Sequence, residues 1–209
     1  MKTKVLVGLW ALLGGPVGVR AQVPSESAPV GRHQHDGVFV RMTLGAGRAK
    51  MTLLGEGAPS SVHAGEAAAL SLAVGGAVRP NLIVFGQLTY LTLPGPTVSQ
   101  GGTVTERLSN DRRLIVAGLG PGLTYYFAEN YFMGLGFMLC RVYAQDGQRV
   151  FTDSKRGVAL DLRLGREWWL SDNWGVGVFV SFEVAGAARE TSGRWKTQAS
   201  AVGLSATFN

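Results

Sequence analysis

The residues best equipped for chemistry are few and widely spaced. His63 has Ser60, Ser61 and Glu66 within three positions, the hydroxyl, imidazole and carboxylate types that a hydrolase needs. No Gly-x-Ser-x-Gly elbow surrounds a serine, however, and the segment reads as a polar outer loop, so no catalytic role is expected. His33 and His35 could hold a metal weakly, but they lie in a polar stretch where solvated histidines are the plainer reading. There is no His-Glu-x-x-His and no cysteine pair, so no built metal site or other cofactor is expected. Gly118-Leu119-Gly120-Pro121-Gly122 lacks the Gly-Lys-Ser/Thr that would make it a phosphate loop. Cys140 stands alone and reads as a small apolar side chain facing either a packed interior or lipid.

With one cysteine, no internal disulfide can hold the fold. Yet the chain opens like an exported protein. Lys2 and Lys4 precede the apolar run Val5 to Leu13, Gly14-Gly15-Pro16 breaks it, and Val19-Arg20-Ala21 suits cleavage. The run is too short to span a bilayer as a helix, and no cysteine near the cut offers a lipid anchor. Residues 1–21 are read as a signal peptide, 22–36 as a flexible periplasmic lead, and 37–209 as one folded domain. Removing the signal lowers the net charge from +6 to +3, with 17 basic against 14 acidic residues. The remaining bases are dispersed, which argues against nucleic-acid binding.

What could hold such a chain together is written in period-two alternation. Apolar blocks recur at about 37–48, 65–78, 82–92, 113–126, 130–143, 156–169, 174–187 and 196–208. Val38, Val40, Met42, Leu44 and Ala46 share one face of the first block. Ala68, Leu70, Leu72 and Val74 share one in the second, and the facing of the third is ambiguous. Val158, Leu160, Leu162 and Leu164 share a face of the sixth. The seventh has Val176, Val178, Val180 and Phe182, and the last has Val202, Leu204, Ala206 and Phe208. Connections after the first, third, fifth and seventh blocks are long and polar. Those at Arg79-Pro80-Asn81, Phe127 to Asn130 and Ser171-Asp172-Asn173 are short turns. Eight strands with alternating loop lengths predict an all-β, antiparallel, up-and-down transmembrane β-barrel. Closure removes sheet edges and pairs every backbone group away from water.

This reading assigns the remaining residues. Arg41, Asp161, Arg163, Glu167 and Glu183 should face the lumen as a polar network of opposite charges. Tyr90, Tyr125, Tyr126, Tyr131, Tyr143, Trp168, Trp169, Trp174 and Trp195 lie near strand ends, where interfacial aromatic girdles belong. Gly118/Gly120/Gly122, Gly134/Gly136 and Gly175/Gly177 should face inward, where the wall curves. Phe208, one residue from the end of an alternating last strand, resembles the C-terminal aromatic of outer-membrane barrels, although Asn209 follows it here. Gly165 to Gly175 (GREWWLSDNWG) resembles a strand–turn–strand of small outer-membrane barrels of the OmpA/OmpX type. The resemblance implies a Gram-negative outer membrane, lipids as surroundings, delivery by the barrel-insertion machinery with Phe208 as the signal, and a monomer. It carries no defined activity. A structural or surface-interaction role through the outer loops is the leading expectation. A narrow channel or a route for small hydrophobic molecules is the alternative. A barrel lipid hydrolase and a soluble lipocalin-like binder stand behind these.

Overall fold

A computed structural model of the chain describes residues 35–55, 59–152 and 154–209. The signal peptide, most of the lead and His33 lie outside the described residues.

The alternating blocks form long strands: β1 (Val38–Leu54), β2 (Ser61–Arg79), β3 (Leu82–Pro94), β6 (Arg112–Phe127), β7 (Tyr131–Asp146), β9 (Gly157–Trp169), β10 (Trp174–Ala188) and β11 (Arg194–Phe208). Each pairs antiparallel with its neighbours, in the order β1-β11-β10-β9-β7-β6-β3-β2, and β2 pairs back to β1. The sheet is therefore a closed eight-stranded up-and-down barrel, with no free edge around its wall.

Short turns gather at one end. Asn81, at φ 63°, closes β2–β3. The 3-10 turn Ala128–Asn130 closes β6–β7, with Glu129 and Asn130 both left-handed. Between β9 and β10, the Ser171 hydroxyl accepts a hydrogen bond from the Trp174 amide at 3.2 Å. The chain's end sits here too: the Asn209 amide donates to Asn173 and its side chain to Val38. The long connections lie at the opposite end.

Two of those connections differ from the sequence expectation of irregular loops. Residues 93–112 hold a hairpin, β4 (Thr97–Gln100) and β5 (Thr103–Arg107), which continues the ladder of β2. Within 144–155, β8 (Arg149–Thr152) pairs with an extended β7. β1 and β2 also run several residues further than their apolar alternation. On β1 the inner row of Ala49 and Met51 stays buried while the outer row turns polar at Arg48, Lys50 and Thr52; on β5, where both faces meet water, Thr, Glu and Arg serve as well as Val. The ladder continues, but its hydrophobic period disappears.

Side chains alternate across the wall, except at Leu114, Ile115 and Val116 of β6, which are all buried. Outward positions from Val38 to Ala46, from Ala68 to Val78 and from Leu82 to Tyr90 carry no charge, and neither do the corresponding stretches of the other strands apart from Arg166 at the short-turn rim. The rows are exposed: Leu44 64%, Leu119 60%, Leu139 57% and Leu204 66%. An uninterrupted apolar belt of this kind is a lipid-facing surface. On β1 it runs eight residue steps, about 26 Å along the strand at ~3.3 Å each. A strand tilt of ~40° projects this to about 20 Å, close to the apolar height of such barrels.

Candidate functional site

The interior has two storeys. Near the short turns lies an ionic cluster. Arg41 and Glu167 approach to 3.0 Å, with side chains 3% and 0% exposed. Glu167 also accepts hydrogen bonds from the Tyr126 hydroxyl at 2.7 Å and the Thr207 hydroxyl at 2.6 Å. Arg41 donates to Thr207 at 3.2 Å, to Thr124 at 3.4 Å and to the Tyr126 hydroxyl. Its guanidinium lies 4.2 Å from the Phe132 ring centre and 4.9 Å from that of Phe39, so aromatic faces complete its surroundings. Gly177 makes the carboxylate's place. A Cβ there would stand 2.7 Å from Glu167 Cγ and 2.7 Å from Ser205 Oγ.

One step along the axis, Arg163 binds Asp161 at 3.0 Å and donates to Ser71 at 3.1 Å and Thr43 at 3.3 Å. Glu183 lies opposite Asp161 in the β9–β10 register and lines the same small cavity. All five charged residues predicted inside do point inward, and the structure gathers them in these two groups.

Between and around them, large and absent side chains alternate. Phe132, Gly165, Phe179, Gly203 and Gly45 are successive partners across β7, β9, β10, β11 and β1. A Cβ on Gly165 would come within 2.5 Å of Phe132, and one on Gly203 within 2.6 Å of Phe179. The rings thus fill space that the glycines vacate. The two-spaced glycine rows face inward, Gly118 and Gly134 among the buried residues. Two residual cavities, one beside Glu183 and one beside Gln87, hold about 20 and 10 Å³, room for roughly one water each.

The outer half of the lumen departs from the expectation of a polar interior. Met51, Leu91, Leu93, Leu114, Val116, Met138, Cys140, Val142 and Trp195 pack there with several alanines. Cys140 is a buried thiol inside this plug, 2% exposed. Eight strands leave an interior narrow enough for side chains to fill, and apolar ones fill it as well as ion pairs do.

The girdle is corrected at three positions. Tyr126 is 2% exposed and belongs to the Arg41 cluster. Trp195 is 3% exposed and belongs to the apolar plug. Trp169 turns inward beside His35, with ring centres 5.2 Å apart. The reason is parity: Tyr125 and Tyr126 are adjacent, as are Trp168 and Trp169, so only one of each pair can face lipid. Tyr90, Tyr125, Tyr131, Trp168 and Trp174 are 40–54% exposed on the outside, and Tyr143 faces outward, half-buried. Phe208 also faces outward, edge-on to Trp174 at 5.4 Å.

His35 is corrected as well. It is 0% exposed and stacks on Tyr126 at 3.4 Å, so the end of the lead plugs the barrel's short-turn mouth instead of standing in solvent. His63 is on β2, not in a loop; it faces inward, with Nε2 3.3 Å from Ser61 Oγ and its ring against Trp195. Glu66 lies on the outer face of the same strand, so these residues do not assemble a triad. Among the described residues no cluster of His, Cys, Asp and Glu is arranged to hold a metal.

The chain folds as a closed eight-stranded antiparallel β-barrel with an apolar outer wall. No protein-family model matches it, and no curated protein matches its sequence. Solved structures similar to it include Neisserial surface protein A, at 12% identity over 83% of this chain and 98% of that one, with a TM-score of 0.49. The attachment invasion locus protein Ail of Yersinia pestis is similar at 13% identity, 83% and 99% coverage and TM-score 0.41. Outer membrane protein AlkL, seen by solid-state NMR in lipid bilayers, is similar at 14% identity, 91% and 97% coverage and TM-score 0.45.

Several lumen residues escaped the sequence reading: Thr124, Tyr126, Ser205 and Thr207 around Arg41 and Glu167, Ser71 beside Arg163, and Gln87. Their signal was present. All but Gln87 share strand parity with an inward charge or an inward glycine, so extending the alternation one strand further would have named them; β3 carries no charge and its one glycine, Gly86, faces outward.

Proposed function

We propose that the protein resides in the outer membrane of a Gram-negative bacterium as a monomeric integral barrel with a closed lumen. It acts there in a structural or surface-binding role through the loops beyond its long-connection end. Export by a cleaved signal peptide and insertion guided by Phe208 belong to the same proposal. The observation that carries it is the uncharged, exposed belt around all eight strands, wrapped about an interior that its own side chains fill. Such a belt is stable in hydrocarbon and not in water. Envelopes washed with carbonate and then extracted with detergent test this. The protein should stay with the membrane through the wash, dissolve in detergent and shift its gel migration on boiling. Release by the wash, with no heat shift, would refute membrane integration.

The apolar outer half of the lumen favours a second reading, a route for small hydrophobic molecules. Phe132, Phe179 and the Arg41–Glu167 cluster stand across that route at the other end. Uptake of a small neutral hydrophobic probe into vesicles carrying the barrel separates the two: entry faster than into protein-free vesicles favours the route, an equal rate the closed barrel. Steady unit currents in planar bilayers would instead mark a narrow ion channel.

A further inference from the structure

Where the apolar belt ends on the long-loop side, one stretch of wall turns basic. On β1 the outward row ending in Ala46 is followed directly by Arg48 and Lys50. On β11 the row ending in Val202 gives way to Ser200, Gln198 and Lys196. Register sets Arg48 beside Ser200, Lys50 beside Gln198 and Thr52 beside Lys196, so the three cations occupy adjoining strands within four residue steps. All three are exposed and point sideways out of the wall. The ion pairs among the described residues include none of them, although Glu66 stands opposite Arg48 on β2. A groove of about 540 Å³ is cut into the wall here, lined by Arg48, Lys50, Gln198 and Ser200 together with the carboxylate of Glu66 on the β2 side, and with Phe182 on its belt side.

We propose that this groove holds the phosphate-bearing headgroup of an outer-leaflet lipid. Arg48 and Lys50 take the phosphate, with Lys196 at the rim, while the first methylenes of the chains lie on Phe182, Val202 and Leu44. Cations that lie at the level of lipid headgroups and form no ion pair among the described residues attract anionic lipid. The occupant is argued as a lipid for two reasons. The groove is continuous with the apolar belt, and its cations face along the membrane plane, where a soluble polyanion has no approach. The inference rests on the membrane placement proposed above, but its test does not use cell envelopes, so the two can fail separately.

The test is native mass spectrometry of the full barrel folded in uncharged detergent. The probes are bis-phosphorylated lipid A, phosphatidylcholine and inorganic phosphate. The variant is Arg48→Gln/Lys50→Gln/Lys196→Gln, and the control Arg107→Gln/Arg149→Gln/Lys155→Gln removes equal charge from the outer loops. Wild type and control should retain lipid A equally, and the groove variant should bind it at least about tenfold more weakly. Equal retention by the groove variant, or full displacement of lipid A by equimolar inorganic phosphate, overturns the proposal. If the triple variant lacks the heat shift of a folded barrel, Lys50→Gln alone decides. Its lipid A affinity should fall about threefold or more, and no change overturns the site.

Discussion

The Arg41–Glu167 pair offers the most demanding test of how this barrel is held shut. Glu167→Gln keeps the side chain's size and its place for the Tyr126 and Thr207 hydroxyls, but removes the charge facing Arg41. Arg41 is then a cation with a 3% exposed side chain, left with rings and hydroxyls for neighbours. Stranding one partner of a buried pair costs about 3–5 kcal/mol. Arg41→Met strands Glu167 in the same way and should cost a similar amount. Arg41→Met/Glu167→Gln strands neither, and its apolar thioether sits among Phe39, Phe132 and Tyr126, so it should cost at least ~2 kcal/mol less than the sum of the single changes. The measurement is equilibrium guanidinium unfolding of each protein in phosphatidylcholine vesicles, followed by tryptophan emission, with the boiling shift on a gel as the check of folding. Strict additivity, or a Glu167→Gln loss below ~0.5 kcal/mol, would show that the pair is not what closes this end of the lumen.

Other outcomes follow from the wall and its packing. Met42→Arg, in the middle of the belt, should lower stability in the same vesicles by about 2–4 kcal/mol, whereas Ser200→Arg above the belt should cost less than ~1 kcal/mol. Gly203→Ala places a Cβ 2.3 Å from the Leu44 carbonyl oxygen, a backbone clash expected to cost about 1–3 kcal/mol. Gly136→Ala meets only the mobile end of Gln87 at 1.8 Å and should cost less in the same unfolding titration. Single-tryptophan variants in vesicles of brominated lipid should show strong quenching of Trp174 and Trp168, and little of Trp195; strong quenching of Trp195 would contradict its place in the lumen.

Much of this barrel was legible because lipid imposes one rule on every strand. Rows such as Val158, Leu160, Leu162 and Leu164 announced both strand and facing, since a charge among them would be expensive at that depth. The same rule located Arg41, Asp161, Arg163, Glu167 and Glu183 by exclusion: charges in a belt-high strand have only the inside to occupy. What the rule could not read were aromatics and the outer storey. A tyrosine suits the bilayer interface and a buried ion cluster equally, so Tyr126 carries no facing information by itself. Parity with the inward glycines Gly118, Gly120 and Gly122 of the same strand decides it. Inside the outer storey, Met138 and Cys140 alternate with outward Phe137 and Leu139, and Leu114 and Val116 with Ile115 and Ala117, so both faces are apolar in one stretch and the contrast between them fades. The interior of so narrow a tube needs to be filled, not to be polar. For that reason the polarity of an inward row reports where ions are held, whereas its volume reports whether anything can pass. In this chain phenylalanines set against glycines supply the volume, and that pattern, more than the ion pairs, is the sequence signature of a barrel that is shut.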